Sequence, residues 1–374
     1  MNLVILGATG SIGGQTLDIA RRRGHRVVGV SARHAGERLW RVVDEFRPEV
    51  YAFDEGEDRA GPGRRIAGPR ALEELALWPS VDVVVVAVNG FDGLPPMLAA
   101  LGAGRRVAAA TKEAIIAGGG LLHSALAEGL LIPVDSEHAA AFQLLQGRRS
   151  GDVRRLILTT SGGALRDWPL ERLPEATPSD ALAHPNWSMG ALVTINSATL
   201  VNKGIEIMEA HVLFDLPFER LDVWVHRAQL AHALLETRDG ALFAALARPD
   251  MHLPIEQALT FPTLPEDGLA PLEPEDMQCL TFQRPDPARY PSLRLCLDAG
   301  KIGGTMPAVL CAANELAVES FLAGAVRFTE IVPTVAEVLA LHESLPGPGL
   351  TELREADRWA RRTAQNVLRR RAGR

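Results

Sequence analysis

The amino-acid sequence predicts an α/β protein that begins with a parallel β-sheet covered by helices on both faces. Near the N-terminus, the segment NLVILGATGSIGGQTLDIARRRG runs from an apolar stretch through a glycine-rich turn into a helical pattern. Apolar stretches then alternate with helical patterns up to about residue 150, which is typical of a doubly wound parallel sheet. From about Lys301 the chain is rich in alanine and leucine, which predicts a separate helical region.

The glycine-rich turn is the first candidate binding site. Gly7, Gly10 and Gly13 permit a tight turn and close approach of the backbone, and the next helix begins there. This arrangement is typical of Rossmann-like domains that bind the pyrophosphate of a dinucleotide. The spacing is G-x-x-G-x-x-G instead of G-x-G-x-x-G, so a glycine turn in another α/β fold remains the alternative. The candidate cofactor contacts are Gly7, Thr9, Gly10, Ser11, Ile12 and Gly13.

The second predicted strand ends in Ala32, Arg33 and His34. Proteins that bind NAD usually carry an acidic residue about 20 positions after the glycines, where it holds the ribose hydroxyls. This strand end is basic instead, and a basic group suits the 2′-phosphate of NADP. The sequence therefore predicts NADPH as the cofactor, with these three residues near its 2′-phosphate.

Two later strands end in residues that can carry chemistry, at the segments TKE (111–113) and LLIPVDSEH (130–138). If the whole segment 130–138 is a strand, its side chains alternate between the two faces, and Asp135 and Glu137 point the same way. Two neighbouring carboxylates repel unless a positive charge lies between them, which favours a divalent cation. The ordinary alternative is a solvated turn. Both segments are expected beside the cofactor, because ligands of parallel sheets gather at the carboxyl ends of the strands.

The strand VRRLILTT leads into a turn at Ser161, which either cradles a phosphate or merely reverses the chain. A loop from His184 to Gly190 follows, and its Pro, Asn, Ser and Gly residues are typical of a mobile segment. Trp187 lies in this loop, where anchored packing is the alternative to a functional role.

The next helical stretch combines cationic, amide and acidic groups. Lys203 and Glu206 are i,i+3 partners, and Asn202 and Glu206 are i,i+4 partners. An ordinary exposed Lys–Glu pair is the alternative. Together with Ser197, however, Asn202 and Lys203 form an anion-binding set, and Glu206 supplies a third carboxylate. Three carboxylates without cysteine or histidine suit Mg²⁺ or Mn²⁺ better than zinc.

Composition limits the possible classes of function. Of the 374 residues, 47% are hydrophobic and 23% charged, as in globular proteins, and the net charge of −7 argues against a nucleic-acid partner. No apolar run approaches the roughly 20 residues of a membrane helix, and no signal-type segment opens the chain. Three scattered cysteines favour free thiols in a reducing compartment. We therefore expect a cytoplasmic protein without a membrane or nucleic-acid partner.

Several long motifs together resemble one known family. GATGSIG, TKEA, PVDSEH, TSGGALR, HPNWSMG, NSATLVNKGIEIMEA, PDMHLPIEQALT and AANELAVESFL occur in the order typical of 1-deoxy-D-xylulose 5-phosphate reductoisomerases. The resemblance covers essentially the whole chain. It implies conversion of deoxyxylulose phosphate to 2-C-methylerythritol 4-phosphate, with NADPH and Mg²⁺ or Mn²⁺, in non-mevalonate isoprenoid biosynthesis. It also implies a homodimer.

The resemblance implies a division of the chain into four segments. These are a Rossmann-like NADPH-binding domain (1–150), a central α+β catalytic domain with the metal and substrate sites and a lid (151–273), a connector (274–300) and a C-terminal helical domain (301–374).

The site residues carry over by matching motifs. The implied metal ligands are Asp135, Glu137 and Glu206, and the candidate catalytic residues are Lys112, Glu137, His184 and Trp187. The implied substrate contacts are Ser136, Ser161, His184, Ser197, Asn202, Lys203 and Glu206, of which Ser161, Ser197, Asn202 and Lys203 match the phosphate pocket. The implied lid residues are His184, Trp187 and Met189, and further cofactor contacts are Thr111, Lys112, Glu113 and Gly190.

The chain departs from the usual family pattern at several positions. Thr111 stands where the family has Asn, Asn196 where it has Asp, and HRAQ (226–229) where it has HPQS. The segment Ala32-Arg33-His34 replaces Gly-Lys-Asn, and GALR replaces Gly-Pro-Phe-Arg. Two alternatives therefore stay open: a paralogue that reduces a different phosphorylated sugar, and a non-catalytic relative that binds nucleotide.

Overall fold

The computed structural model describes residues 1–59, 61–187, 189–265 and 267–372. The chain folds into two compact units, of which the first comprises Met1–Ala139 and Asp250–Ala270 and the second comprises Ala140–Pro249 and Pro271–Arg374. The chain thus leaves the first unit and later returns to it.

The described residues form strands and helices along most of their length. The strands are β1 (Asn2–Leu6), β2 (Arg26–Ala35), β3 (Val50–Gly56), β4 (Arg64–Ile66), β5 (Val83–Val86), β6 (Arg106–Ala109), β7 (Leu131–Pro133), β8 (Val153–Thr160), β9 (Leu221–Val225), β10 (Ala231–Thr237) and β11 (Leu242–Leu246). The helices are α1 (Ser11–Arg23), α2 (Glu37–Phe46), α3 (Ala71–Ala76), α4 (Leu94–Gly102), α5 (Lys112–Gly118), α6 (His123–Ala127), α7 (Ser136–Leu145), α8 (Pro178–Leu182), α9 (Ala191–Thr199), α10 (Val201–Phe214), α11 (His252–Thr260), α12 (Pro291–Ile302), α13 (Met306–Leu322), α14 (Ile331–Ala340) and α15 (Leu350–Ala372). Within the described part of the chain, no helix combines the length and the apolar character needed to cross a bilayer.

The first unit is built on a seven-stranded parallel sheet in the order β4-β3-β2-β1-β5-β6-β7. The central strands are apolar on both faces, and Leu3 to Leu6 of β1 and Val84 to Val86 of β5 are fully buried. Such strands need helices on both sides of the sheet. Helix α11, in the segment that returns to the first unit, packs on α1. Arg23 of α1 pairs with the buried Glu256 of α11 at 2.5 Å. The predicted Rossmann-like α/β fold is confirmed.

The strand before Asp135 ends earlier than the alternation argument assumed. β7 ends at Pro133, with one further bond from the Val134 amide to the Ala109 oxygen at 2.9 Å, and α7 already begins at Ser136. Asp135 caps this helix: its Oδ1 accepts the amide of Glu137 at 3.2 Å, and its backbone oxygen accepts the amide of Ala139 at 2.8 Å. The expectation that strand alternation aligns Asp135 with Glu137 is therefore wrong. A helix N-terminus brings the two carboxylates together instead.

The second unit joins a mixed sheet to a set of helices. The sheet has the order β11-β10-β8-β9, with β10 antiparallel to β8 and β11, and β8 parallel to β9. Its core includes Leu156, Leu158, Ile207 and Leu235. Helices α13, α14 and α15 pack on one another and account for the helical pattern at the end of the chain. The α+β and helical character predicted for the later parts of the chain is thus confirmed.

The connector predicted at residues 274–300 contains regular structure. Its last ten residues lie in α12, because Pro291 can occupy the first turn of a helix, and α12 packs on α10. The four segment boundaries predicted from the sequence otherwise stay predictions.

Candidate active site and cofactor site

The glycine-rich loop after β1 has the backbone that the sequence predicts. Gly7 adopts φ +89°, and its amide donates to the backbone oxygen of Ser31 at 3.2 Å and to the Ser31 hydroxyl at 3.1 Å. A Cβ on Gly13 would lie 2.3 Å from the Gly7 oxygen, so α1 can approach the loop only because Gly13 has no side chain. Helix α1 then begins after Gly10, which has no side chain to cap its first amides. Those amides suit a pyrophosphate.

An open cavity of about 510 Å³ borders this loop. Thr9, Gly10 and Ser11 line one side of it, and Arg38 and Arg41 of α2 are among the residues opposite. The lining also carries Arg21 between Asp18 and Glu45, so its arginines outnumber its acids by one and leave a small positive excess near the loop. Sequence reasoning missed Arg38 and Arg41, because their proximity to the loop depends on how α2 packs beside α1.

The basic end of β2 meets an acidic residue from the neighbouring strand. Ala32 is buried, whereas Arg33 and His34 are exposed. His34 lies opposite Glu55 of β3 in the strand register, and its Nδ1 lies 3.0 Å from the Glu55 carboxylate. The Arg33 Nε lies 3.8 Å from the same carboxylate. This acid could not be predicted from the local sequence, because Glu55 is distant in the chain and only strand pairing brings it here.

We expect Glu55 to compete with the 2′-phosphate of NADPH for Arg33. Exposed ion pairs contribute at most about 1 kcal/mol, so Glu55→Gln should tighten NADPH binding by up to about fivefold. Arg33→Asp should weaken it by about ten- to a hundredfold, the value of one charge-assisted hydrogen bond. Titration of protein fluorescence with NADPH and NADH measures both effects, with Asp298→Asn, an exposed acid on α12, as the control. Equal affinity of the wild type for the two cofactors would show that Arg33 does not contact the 2′-phosphate.

A charged cluster lies at the ends of β6 and β7. Lys112 Nζ lies 2.7 Å from one oxygen of Asp135, and His138 Nδ1 lies 2.9 Å from the other. Carboxylate oxygens of Asp135 and Glu137 lie within 4.8 Å of each other, close enough that a small side-chain shift would let one cation contact both. The Ser136 hydroxyl donates to Glu137 at 2.6 Å. Lys112 and Glu137 are buried, so a solvated turn does not describe this cluster.

The residues on either side of Lys112 have different surroundings. The Thr111 hydroxyl donates to the Val88 carbonyl at 2.5 Å, and the Thr111 side chain packs against Gly93. Thr111 therefore ties α5 to the segment after β5. Burial raises the pKa of the Glu113 carboxyl, and the nearby Lys112 opposes that effect.

In the second unit, the turn after β8 is shaped by close packing. Gly162 and Gly163 adopt φ +85° and +75°, and a Cβ on Gly163 would lie 2.5 Å from the backbone of Ala198 at the end of α9. The buried Tyr290 hydroxyl donates to the Gly162 oxygen at 2.8 Å. These contacts place Ser161 close to the end of α9, which carries Ser197. The two serines assigned to the phosphate pocket therefore lie on packed neighbouring segments.

His184 connects the predicted loop to Ser161. Its Nδ1 accepts the amides of Asn186 at 3.2 Å and Trp187 at 3.0 Å, so the ring proton belongs on Nε2. That proton points to the Ser161 oxygen at 3.0 Å, and the Ser161 hydroxyl can still donate to a bound anion. Burial, with a smaller contribution from Arg166, lowers the pKa of His184 to about 4.

This low pKa predicts a pH effect on stability. A histidine in the unfolded chain has its ordinary pKa of 6.5, and His184 in the fold has about 4, so the unfolded state binds more protons between these values. The stability from neutral His184 is complete above pH 6.5 and declines as the pH falls toward 4. As the pH is lowered from 7 to 4.5, the unfolding free energy of the wild type should therefore fall relative to that of His184→Gln. Urea denaturation at several pH values measures it, and a difference that is constant with pH would contradict the assignment.

The remaining predicted loop residues are Trp187, Met189 and Gly190. The Trp187 ring is half-buried and contacts the His232 ring edge-on, with centroids 6.3 Å apart. Met189 is half-buried, and the exposed Gly190 precedes α9. Ser188 lies outside the described residues.

The helical stretch of the sequence is two helices, because Leu200 adopts φ +57° between α9 and α10. Within α10, Asn202 donates to one Glu206 oxygen and the Lys203 ammonium contacts the other. The side chains of Lys203 and Glu206 are only 3% and 1% exposed, so the ordinary exposed-pair alternative is wrong. A buried ion pair is a weak source of stability, which favours a functional reason for this one.

Asn196 has a structural partner. The amide of Asn314 on α13 donates to the Asn196 oxygen at 2.8 Å, and both residues are buried. A carboxylate would accept the same bond, so this contact does not explain Asn where the family usually has Asp.

Three family models match the chain. That of 1-deoxy-D-xylulose 5-phosphate reductoisomerase matches residues 3–119, that of its C-terminal domain matches residues 131–214, and that of a DXP reductoisomerase C-terminal domain matches residues 246–363. The enzyme of this name from Thermomicrobium roseum is 46% identical, with 98% of each chain covered. That from Chlorobium phaeovibrioides is 43% identical, with 98% of this chain and 99% of the relative covered.

Solved structures of the same family superpose on nearly the whole chain. The reductoisomerase from Zymomonas mobilis in complex with NADPH has a TM-score of 0.88 and 33% identity, with 98% of each chain covered. A DOX-P reductoisomerase in complex with NADPH, fosmidomycin and magnesium has a TM-score of 0.89 and 32% identity, with 99% of this chain and 98% of that one covered. The family predicted from the motifs is confirmed. Sequence and fold thus agree over nearly the full length, and the chain belongs to the 1-deoxy-D-xylulose 5-phosphate reductoisomerase family.

Proposed function

We propose that this chain converts 1-deoxy-D-xylulose 5-phosphate to 2-C-methyl-D-erythritol 4-phosphate in non-mevalonate isoprenoid biosynthesis, with NADPH and a divalent cation. One observation carries the proposal. The carboxyl edge of a single parallel sheet presents the glycine loop after β1 and the cluster of Lys112, Asp135 and Glu137 after β6 and β7. A dinucleotide loop and hard oxygen ligands at one edge suit a metal-assisted reduction of a small polar substrate.

Asp135, Glu137 and Glu206 are the proposed metal ligands. An all-oxygen donor set fits Mg²⁺ or Mn²⁺, and the closeness of the Asp135 and Glu137 carboxylates supports their sharing one ion. When bound, the cation polarises the carbonyl and hydroxyl oxygens of the substrate, and NADPH supplies the hydride. Lys112 offsets part of the negative charge at this edge, and Ser136, whose hydroxyl donates to Glu137, is the proposed contact to a substrate oxygen.

Ser161, Ser197, Asn202 and Lys203 form the proposed phosphate pocket. The support is the close packing of the Ser161 turn on α9, together with a lysine that the fold buries. A charge-assisted contact from Lys203 and hydroxyl contacts from the two serines hold the phosphate, a group that does not itself react. Binding energy from such a remote group can be used to orient the reacting part of the substrate.

The loop that carries His184, Trp187 and Met189 is the proposed lid. Its role is to exclude water from the reactive intermediates, as mobile loops do in many enzymes. His184 links the loop to the phosphate pocket through Ser161, which supports closure that depends on the phosphate. Thr111, Glu113 and Gly190 complete the proposed cofactor contacts.

The direct test is NADPH oxidation by the purified protein. Deoxyxylulose phosphate with Mg²⁺ or Mn²⁺ should cause rapid loss of absorbance at the NADPH band, and chelation of the metal should stop it. Other phosphorylated ketoses and aldoses serve as the substrate panel. A faster reaction with another sugar would identify a divergent paralogue, and NADPH binding without turnover on any of them would identify a non-catalytic relative.

The proposed assembly is a cytoplasmic homodimer. β11 lies at the edge of the second sheet, and Leu242, Phe243 and Leu246 on it are 49%, 39% and 37% exposed. An exposed apolar edge strand is a natural site for pairing with a second copy. Light scattering should give the mass of a dimer for the wild type and of a monomer for Phe243→Lys. The cytoplasmic location rests on the sparse, scattered cysteines and stays a proposal.

A further inference from the structure

The turn formed by His226 to Gln229 is held in an unusual conformation. Gln229 adopts φ +52° although it is not glycine, and it is buried. Such a backbone is strained for a residue with a side chain and persists only where surrounding contacts enforce it. The His226 amide donates to the Thr160 oxygen at 2.8 Å, and the Gln229 amide donates to the His226 oxygen at 3.1 Å. The turn is therefore anchored directly beside the end of β8.

This turn contacts the loop that contains His184. The Asn186 side-chain amide donates to the Arg227 backbone oxygen at 2.7 Å and to the Gln229 side-chain oxygen at 3.4 Å. Arg227 is itself held by Asp167 at 2.6 Å. Asn186 thus binds a rigid platform made of one backbone oxygen and one side-chain oxygen.

The same loop is attached on its other side. The Asn186 backbone amide donates to His184 Nδ1, and His184 in turn contacts Ser161. Asn186 therefore lies between two anchors, the Ser161 turn and the His226–Gln229 turn. A change at either anchor alters the conformations available to the residues between them.

We propose that Gln229 is a positioning residue that preorganises the loop through Asn186, a role that rests on the proposed function of this loop as the lid. Its left-handed backbone and its anchored turn keep the Gln229 amide beside Asn186. When this contact is present, less conformational entropy remains to be lost as the loop orders over the phosphate.

The test uses Gln229→Asn, Asn186→Ala and the double variant, with the exposed Gln278→Ala as the control. Asparagine tolerates positive φ, so Gln229→Asn keeps the backbone and only shortens the reach of the amide. Hydrogen exchange of the peptide covering residues 183–190 should rise by about fivefold in Gln229→Asn, the effect of one lost hydrogen bond. It should rise by more in Asn186→Ala, which also loses the bond to the Arg227 oxygen. The substrate KM should rise by a similar factor while kcat changes by less than about twofold. The double variant should be no worse than Asn186→Ala alone, because both changes remove one interaction.

Additive effects in the double variant, or unchanged exchange in Gln229→Asn, would overturn the proposal. A lower unfolding midpoint with general loss of protection would show a structural role instead. The exchange measurement needs no substrate, so it tests the contact even if deoxyxylulose phosphate proves not to be the substrate.

Discussion

Replacing Glu206 by Gln should lower kcat by about a thousandfold. A metal ion supplies several kcal/mol of transition-state stabilisation, and each 1.36 kcal/mol changes the rate tenfold, so losing a charged ligand has a large effect. The structure adds a second consequence. Glu206 contacts the buried Lys203, and removing one partner of a buried pair typically destabilises a protein by about 3–5 kcal/mol. We therefore expect a lower unfolding midpoint in addition to the loss of activity.

The effect of metal on the unfolding midpoint distinguishes the loss of a metal ligand from the loss of the contact with Lys203. A ligand that binds only the folded state raises the unfolding midpoint, so Mn²⁺ should stabilise the wild type and have little effect on Glu206→Gln. Glu219→Gln is a matched control, because Glu219 pairs with Lys301 at 3.4 Å but is 72% exposed. It should keep both activity and the metal effect. Equal stabilisation of Glu206→Gln and wild type by Mn²⁺ would remove Glu206 from the metal site.

Lys203→Arg should raise the substrate KM by about ten- to a hundredfold, although it preserves the charge. The chain has 39 basic residues and only three are lysines, so arginine is its usual cation. The Lys203 side chain is 3% exposed and contacts Glu206, which leaves no room for a planar guanidinium without displacing its neighbours. The phosphate would then lose a charge-assisted contact of about 1.5–3 kcal/mol. Overpacking should also reduce stability by about 1–3 kcal/mol.

Lys301→Arg provides the matched comparison. Lys301 is 51% exposed and pairs with an exposed carboxylate, so this change should be silent in KM and in stability. Affinity for NADPH, measured by fluorescence titration, should stay within about twofold for both variants, since the proposed cofactor loop lies in the other unit. The informative quantity is the ratio of kcat/KM between the two variants. If they behave alike, Lys203 does not bind the phosphate.

Local sequence alone determined the framework of the first unit. A strand of apolar residues, glycines at positions 7, 10 and 13 and a helical pattern predict a Rossmann-like opening, because each element follows from propensity and spacing within about 20 residues. The family followed from motifs that occur in order along the chain, the central ones being long. The pairing of Lys203, Asn202 and Glu206 was also predictable, since helical geometry places residues three and four apart on one face.

Only the tertiary structure decided features that depend on residues distant in the chain. The contact of Glu55 with Arg33 and His34 requires the pairing of β2 with β3, and the contact of Asn186 with Gln229 requires a turn folded beside the end of β8. The burial of Lys203 and Glu206 likewise depends on packing, because a Lys–Glu pair three residues apart has the same sequence pattern on a solvated helix face and in a protein interior. Asp135 and Glu137 show where prediction from local sequence fails. An apolar run does not reveal the residue at which a strand ends and a helix begins. That point is set where Asp135 caps the first amides of α7, and the three-dimensional arrangement of the carboxylates follows from it.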